Sequence, residues 1–137
     1  MTLKVAMIGN FSKSPELVGV KAQEFEKAGM RVIFPKDLNT TNIREELLLL
    51  QRAERKEKKR EIINSDILFV INPGGDISPA VLSEIRFAGA AGNLIFFSER
   101  PNEPSLDPLS LVMLKKAEDI KEVTLEEFFR RSLRRAS

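Results

Sequence analysis

Asp66-Ile67-Leu68-Phe69-Val70-Ile71-Asn72-Pro73-Gly74-Gly75 decides the fold. Residues 67–71 are apolar without alternation, the pattern of a central parallel strand covered on both faces. Pro73-Gly74-Gly75 breaks the run. Ser78-Pro79 then supplies an N-cap followed by proline at the first helical position, and a helix is expected to about Ala90.

The same unit repeats outward. Residues 3–8 read as a buried strand ending at Gly9, and Ser14-Pro15 opens a helix that stops at Gly29. Residues 30–34 form a second strand, closed by Pro35. A helix capped by Thr41 or Asn42 is expected to about Ile63, with Ile43, Leu47 and Leu50 on one face. Residues 93–97 form a fourth strand, 106–117 a helix, and 120–123 a short fifth strand. Thr124 and Glu127 read as a capping box for a last helix, with Leu125, Phe128, Phe129 and Leu133 turned to the core. Strands alternating with helices predict an α/β, doubly wound, flavodoxin- or Rossmann-like parallel sheet of five strands, in order 2-1-3-4-5.

Composition narrows the chemistry. The 137 residues fit one domain over 1–137, with 42% hydrophobic and 31% charged residues. Lys+Arg number 22 and Asp+Glu 20, so the net charge of +2 gives no general argument for nucleic acid. The chain has no His, Cys, Trp or Tyr. That excludes disulfides, thiol nucleophiles, cysteine metal sites and a Ser-His-Asp triad. Catalysis would have to use carboxylates, Lys, Ser/Thr, backbone amides, a cofactor or the substrate itself. No metal and no cofactor is expected, and neither a dinucleotide fingerprint nor a P-loop pattern is present. The longest apolar stretches, about seven residues, are too short to span a bilayer. Met1-Thr2-Leu3-Lys4 leads into a strand rather than a signal peptide, so a cytoplasmic protein without membrane association is expected.

In the order 2-1-3-4-5 the switch point lies between the first and third strands, and a ligand is expected outside their carboxyl ends. This rule selects Gly9-Asn10-Phe11-Ser12-Lys13-Ser14-Pro15 and Asn72-Pro73-Gly74-Gly75-Asp76-Ile77-Ser78-Pro79. Each joins a strand end to a helix N-terminus, where exposed N–H groups favour an anion. Glycines let a ligand approach the backbone, while Ser12, Ser14 and Ser78 add hydroxyls. Plain loop and cap chemistry is the other reading of the same residues.

Glu84, beside the apolar stripe Val81, Leu82, Ile85, Ala88 and Gly89, is the most informative side chain. A carboxylate in the second turn, half buried and turned to the crevice, suits a nucleophile or general acid/base in a site without His. The alternative is a surface Glu paired with Arg86 or a Lys. Asp76 would hold a substrate hydroxyl or tune Glu84, or else serve as an Asx-turn or cap residue. The run Glu54–Glu61 is eight charges long and reads as a solvated helical stretch with Glu54 and Lys58 paired, or as a polyanion strip. Arg130, Arg131, Arg134 and Arg135 read as a solvated terminal turn or as a contact for an acidic partner or nucleic acid.

The residues Asn64 to Gly75, with Ile77, Glu84-Ile85 and Ala88, resemble the nucleoside 2-deoxyribosyltransferase family, above all its small bacterial and archaeal relatives. The resemblance covers residues 3–10 and about 60–99. It implies that Glu84 attacks C1′ of a nucleoside, the base leaves, and another base or water resolves the glycosyl-enzyme. It implies a nucleoside or nucleotide as ligand and a homo-oligomer, most simply a dimer. The apolar face of residues 43–50 and the Phe96-Phe97 strand read either as contributors to that interface or as core. The sequence departs from the family's Asp-x-Gly-Thr-x-x-Glu: Ser78, Ala80 and Val81 stand at the Asp, Gly and Thr positions. Arg86 stands where the family often has Gly. Two functions follow: an N-glycosidic hydrolase or transferase using Glu84, or a non-catalytic nucleotide- or metabolite-binding protein of the same fold.

Overall fold

The central strand is buried at every position, and the sheet is assembled around it. The computed structural model describes residues 2–11, 13–35, 55–106 and 116–136. Within them, β1 (Lys4–Gly9), β2 (Arg31–Phe34), β3 (Ile67–Ile71) and β4 (Leu94–Phe97) form one parallel sheet in the order β2-β1-β3-β4. The register pairs Val5 with Ile67 and Ile8 with Val70, then Ile67 with Leu94 and Val70 with Phe97. The switch point therefore lies between β1 and β3, where the alternation of strands and helices put it.

Four helices are described: α1 (Pro15–Lys27), α2 (Arg55–Ile63), α3 (Pro79–Ala90) and α4 (Ala117–Ala136). Right-handed crossovers carry the connections on opposite sides of β1 to opposite faces of the sheet. Accordingly α1 contacts α4, and α2 contacts α3. The core fills both spaces: Phe25 and Phe69 meet edge to face at 5.3 Å, and Val18, Ile62, Ile85 and Ala88 are buried against the strands. Helix α3 starts as its sequence directs, with the Val81 N–H donating to Ser78 Oγ at 3.2 Å and Pro79 in the first turn. Both α1 and α3 end in Schellman turns. Gly29 and Met30 donate to the Glu26 and Phe25 carbonyls, and Gly92 and Asn93 to those of Gly89 and Ala88.

Two expectations are corrected at the C-terminal end. Residues 120–123 are not a fifth strand; they lie in the second turn of α4. Ile120 and Val123 favour strands by type. Yet Ala117, Ile120, Thr124 and Phe128 recur at three- and four-residue spacing, and that set packs inward. Thr124 is consequently no cap: it is fully buried in mid-helix, and its Oγ1 donates to the Ile120 carbonyl at 2.7 Å. Of the four side chains expected to face the core, Phe128 packs against it, whereas Leu125, Phe129 and Leu133 are exposed. The segments expected as helix over 41–54 and 107–115 lie outside the described residues. Leu106 closes a short 3-10 turn, Pro104–Leu106.

Helix α4 lies where α1 and α3 finish. Lys121 Nζ donates to the Ala28 carbonyl at 2.7 Å, and Arg131 Nη1 to the Gly92 carbonyl at 2.9 Å. Both acceptors lie at helix C-termini, where the dipole favours a cation. Among the described residues no helix is long and apolar enough to cross a membrane.

Candidate functional site

At the carboxyl ends of β1 and β3 the two loops approach so closely that one backbone touches the other. The Asn10 N–H donates to the Ile71 carbonyl at 3.0 Å. Gly9, at φ +125°, passes directly over that carbonyl, and a Cβ built on it would lie 2.1 Å from the Ile71 oxygen. Only glycine fits here, for both the dihedral and the contact. Between the loops opens a crevice of about 570 Å³ lined by Gly9, Asn10, Ile71, Asp76, Ile77, Ser78, Val81 and Asn102. Across its mouth Lys13 Nζ stands 4.0 Å from Asp76 Oδ2, both side chains largely exposed.

The glycine loop is held closed from within. Asn72 is buried. Its Oδ1 accepts from Ser98 Oγ and from the Glu99 N–H, each at 3.0 Å, and its Nδ2 donates to the Glu99 carbonyl at 2.8 Å. Its own N–H reaches Ser98 Oγ at 3.0 Å. Pro73–Gly75 forms one 3-10 turn, closed by the Gly75 N–H donating to the Asn72 carbonyl at 2.9 Å. The Gly74 N–H donates to the Glu99 carboxylate, and Asn102 Nδ2 donates to the Gly74 carbonyl at 3.0 Å. The Asn102 N–H completes the clasp at the Gly75 carbonyl, 2.8 Å away. A Cβ on Gly75 would meet the Arg100 carbonyl at 2.6 Å. The glycines thus admit residues 99–102 of the same chain.

The expected site residues divide into three groups. Gly9, Asn10, Asp76 and Ser78 line the crevice. Asn72, Pro73, Gly74 and Gly75 are held in the clasp beside the crevice and are not among the residues lining it, and Phe11 is buried in the core. Ser12 lies outside the described residues. Glu84 lines a separate hollow of about 460 Å³ with Lys58, Lys59, Pro79, Ala80 and Ser83. Its Oε1 is 3.8 Å from Lys58 Nζ, with the two side chains only 17% and 20% exposed. Lys58 thus pairs across two helices; Glu54, its expected partner, is outside the described residues. Lys59 lies over the Phe87 ring at 5.5 Å, so two cations of the charged run settle on α3. Arg86 Nη2 reaches Ser105 Oγ at 3.4 Å and does not line the crevice.

Sequence reading missed Ser98, Glu99 and Asn102. The available signal was that Ser98-Glu99-Arg100-Pro101-Asn102 follows the next strand at the same sheet edge, where loops meet. Among the described residues no three carboxylates gather as metal ligands do.

Fold and site together define an α/β protein with a parallel sheet and a polar crevice at its topological switch point. No protein-family model matches the chain, and no curated protein matches it.

Proposed function

We propose that this chain binds a nucleoside or nucleotide in the crevice between β1 and β3 without cleaving it. The ligand class comes from the resemblance over residues 60–99. The observation that favours binding over chemistry is the position of Glu84, which pairs with Lys58 in its own hollow while Asp76, Asn10 and Ser78 face the crevice. Asp76 suits the hydroxyls of a sugar, and the starts of α1 and α3 suit a phosphate. The protein belongs, on this reading, to the cytoplasm and works as a homo-oligomer.

A second reading keeps the reaction. Val81 lines the crevice, and Glu84 stands one turn further along α3 from it. Glu84 would then be the nucleophile of an N-glycosidic hydrolase or transferase, with Asp76 holding the sugar.

One experiment separates them. Purified protein is incubated with deoxynucleosides, ribonucleosides and their 5′-monophosphates; melting temperature and released base are both followed. Binding alone predicts a rise in Tm with no base released, lost in Asp76→Ala and kept in Glu84→Gln. Base release that disappears in Glu84→Gln establishes the second reading. No response to any compound overturns both.

A further inference from the structure

We infer that the hollow beside the last turns of α4 is a second binding site, which takes a free α-amino acid with an apolar side chain. It lies at the amino ends of β3 and β4, the end of the sheet opposite the crevice, between α4 and the turns that follow α2 and α3. Its volume of about 590 Å³ falls in the range of small-molecule sites, roughly 300–1,000 Å³. The period of α4 decides what faces it. Ala117, Ile120, Thr124 and Phe128 form the inward side of the helix, and the same three- and four-residue steps continue to Arg131 and Arg135. The inward side therefore changes from apolar to cationic after Phe128, and the hollow opens there.

Three kinds of group meet in the hollow, and together they describe the ligand. Arg131 is committed in part, since its Nη1 donates to the Gly92 carbonyl and its Nε to Glu127. Arg135 has no hydrogen bond or ion pair with a described residue. Its guanidinium and the Nη2 of Arg131 offer donors to a carboxylate. Across from α4, Asp66 accepts the Lys4 N–H on Oδ2 at 2.8 Å and keeps Oδ1 for an ammonium. α2 and α3 both end here, and their carbonyl ends favour a cation on that same side. Ile63, 59% exposed, and the ring of Phe128 supply apolar contact. The observation that carries the inference is that both signs of charge line one hollow without pairing: no ion pair joins Asp66 to Arg131 or Arg135. A simple carboxylate would set a like charge against Asp66, and a simple amine would do so against the arginines. An α-amino acid answers both, and its side chain covers Ile63.

The inference stands apart from the crevice and is tested on the full chain without any nucleoside. Calorimetric titration with L-leucine and L-phenylalanine, each up to about 10 mM, should show binding. At a concentration about ten times Kd, the Tm should rise by about 4–6 °C. Isocaproate, which is leucine without its ammonium, and isoamylamine, which is leucine without its carboxylate, should each bind at least about tenfold more weakly. Arg135→Gln should abolish leucine binding and leave the Tm of the free protein unchanged, because that side chain is exposed. Asp66→Asn keeps an acceptor for the Lys4 N–H and should bring leucine and isocaproate to equal affinity. Ser132→Trp fills the hollow from an exposed position and should block binding without removing a charge. Binding of neither amino acid, equal binding of isocaproate by the unaltered protein, or leucine binding indifferent to Arg135→Gln and Ser132→Trp would overturn the proposal.

Discussion

At Gly9 a single hydrogen atom decides whether β1 can lie against β3. The contact of 2.1 Å between an added Cβ and the Ile71 oxygen is between backbones, and neither strand can yield without breaking the ladder. Gly9→Ala should therefore destabilise the protein by about 3 kcal/mol or more, dihedral strain and clash together, as read by denaturant unfolding. Asn72→Ala tests the clasp: it takes the side-chain partner from the part-buried Glu99 N–H and Glu99 carbonyl and from the buried Ser98 hydroxyl. A loss of about 1–3 kcal/mol is expected by the same measurement. A cost below about 0.5 kcal/mol would mean that water replaces the amide and that the loop is not held by it. Both positions were legible in the sequence as special loop residues. Their purpose was not, because Gly9 answers to Ile71, and Asn72 to Ser98 and Glu99, and partners 26 or more residues away leave no spacing pattern to read.

Helix α4 shows where residue type and residue period compete. Ile120-Lys121-Glu122-Val123 looks like a strand for four residues, but the inward set continues through Thr124 and Phe128 with helical spacing, and burial follows that set. A window of four could not contain the signal. Thr124→Asp distinguishes the two assignments directly. A cap would accept Asp and gain from the helix dipole. A fully buried mid-helix position should lose about 3 kcal/mol on receiving an unpaired carboxylate. Arg131 ties the far end of the same helix to the Gly92 carbonyl, pairs with Glu127 and lies 5.6 Å over the Phe128 ring. Its guanidinium is partly exposed, which limits the loss in Arg131→Ala to about 1 kcal/mol in thermal or denaturant unfolding. The four strands and the starts of α1 and α3 carried no such conflict: apolar runs, Ser-Pro starts and terminal glycines all pointed one way, and the structure follows them, although Ser78 makes a side-chain capping bond and Ser14 does not.

Over the whole molecule the topology sets both the place of the site and the order of stability. The crevice was foreseeable because strand order alone puts the switch point at β1 and β3, and a crevice outside the carboxyl ends of those two strands. The hollow that holds Glu84 was not, since it depends on how α2 lies against α3, which periodicity does not encode. Stability follows the same layout. β1 and β3 are each hydrogen-bonded on both sides, and every residue of β3 is buried, whereas β2 and β4 stand at the two ends of the strand order. Opening β3 exposes both apolar layers at once, so its amides should exchange only when the molecule unfolds as a whole. Native-state hydrogen exchange should therefore give Leu68, Phe69, Val70, Ile71 and the facing residues Ala6, Met7 and Ile8 one common, slowest opening free energy, equal to that from denaturant unfolding. Arg31 and Val32 of β2 should exchange faster, through local fraying at the sheet edge. Amides of β1 and β3 that exchange with two distinct free energies would show that the halves of the sheet on either side of the switch point open separately, and that the crevice between them is a hinge.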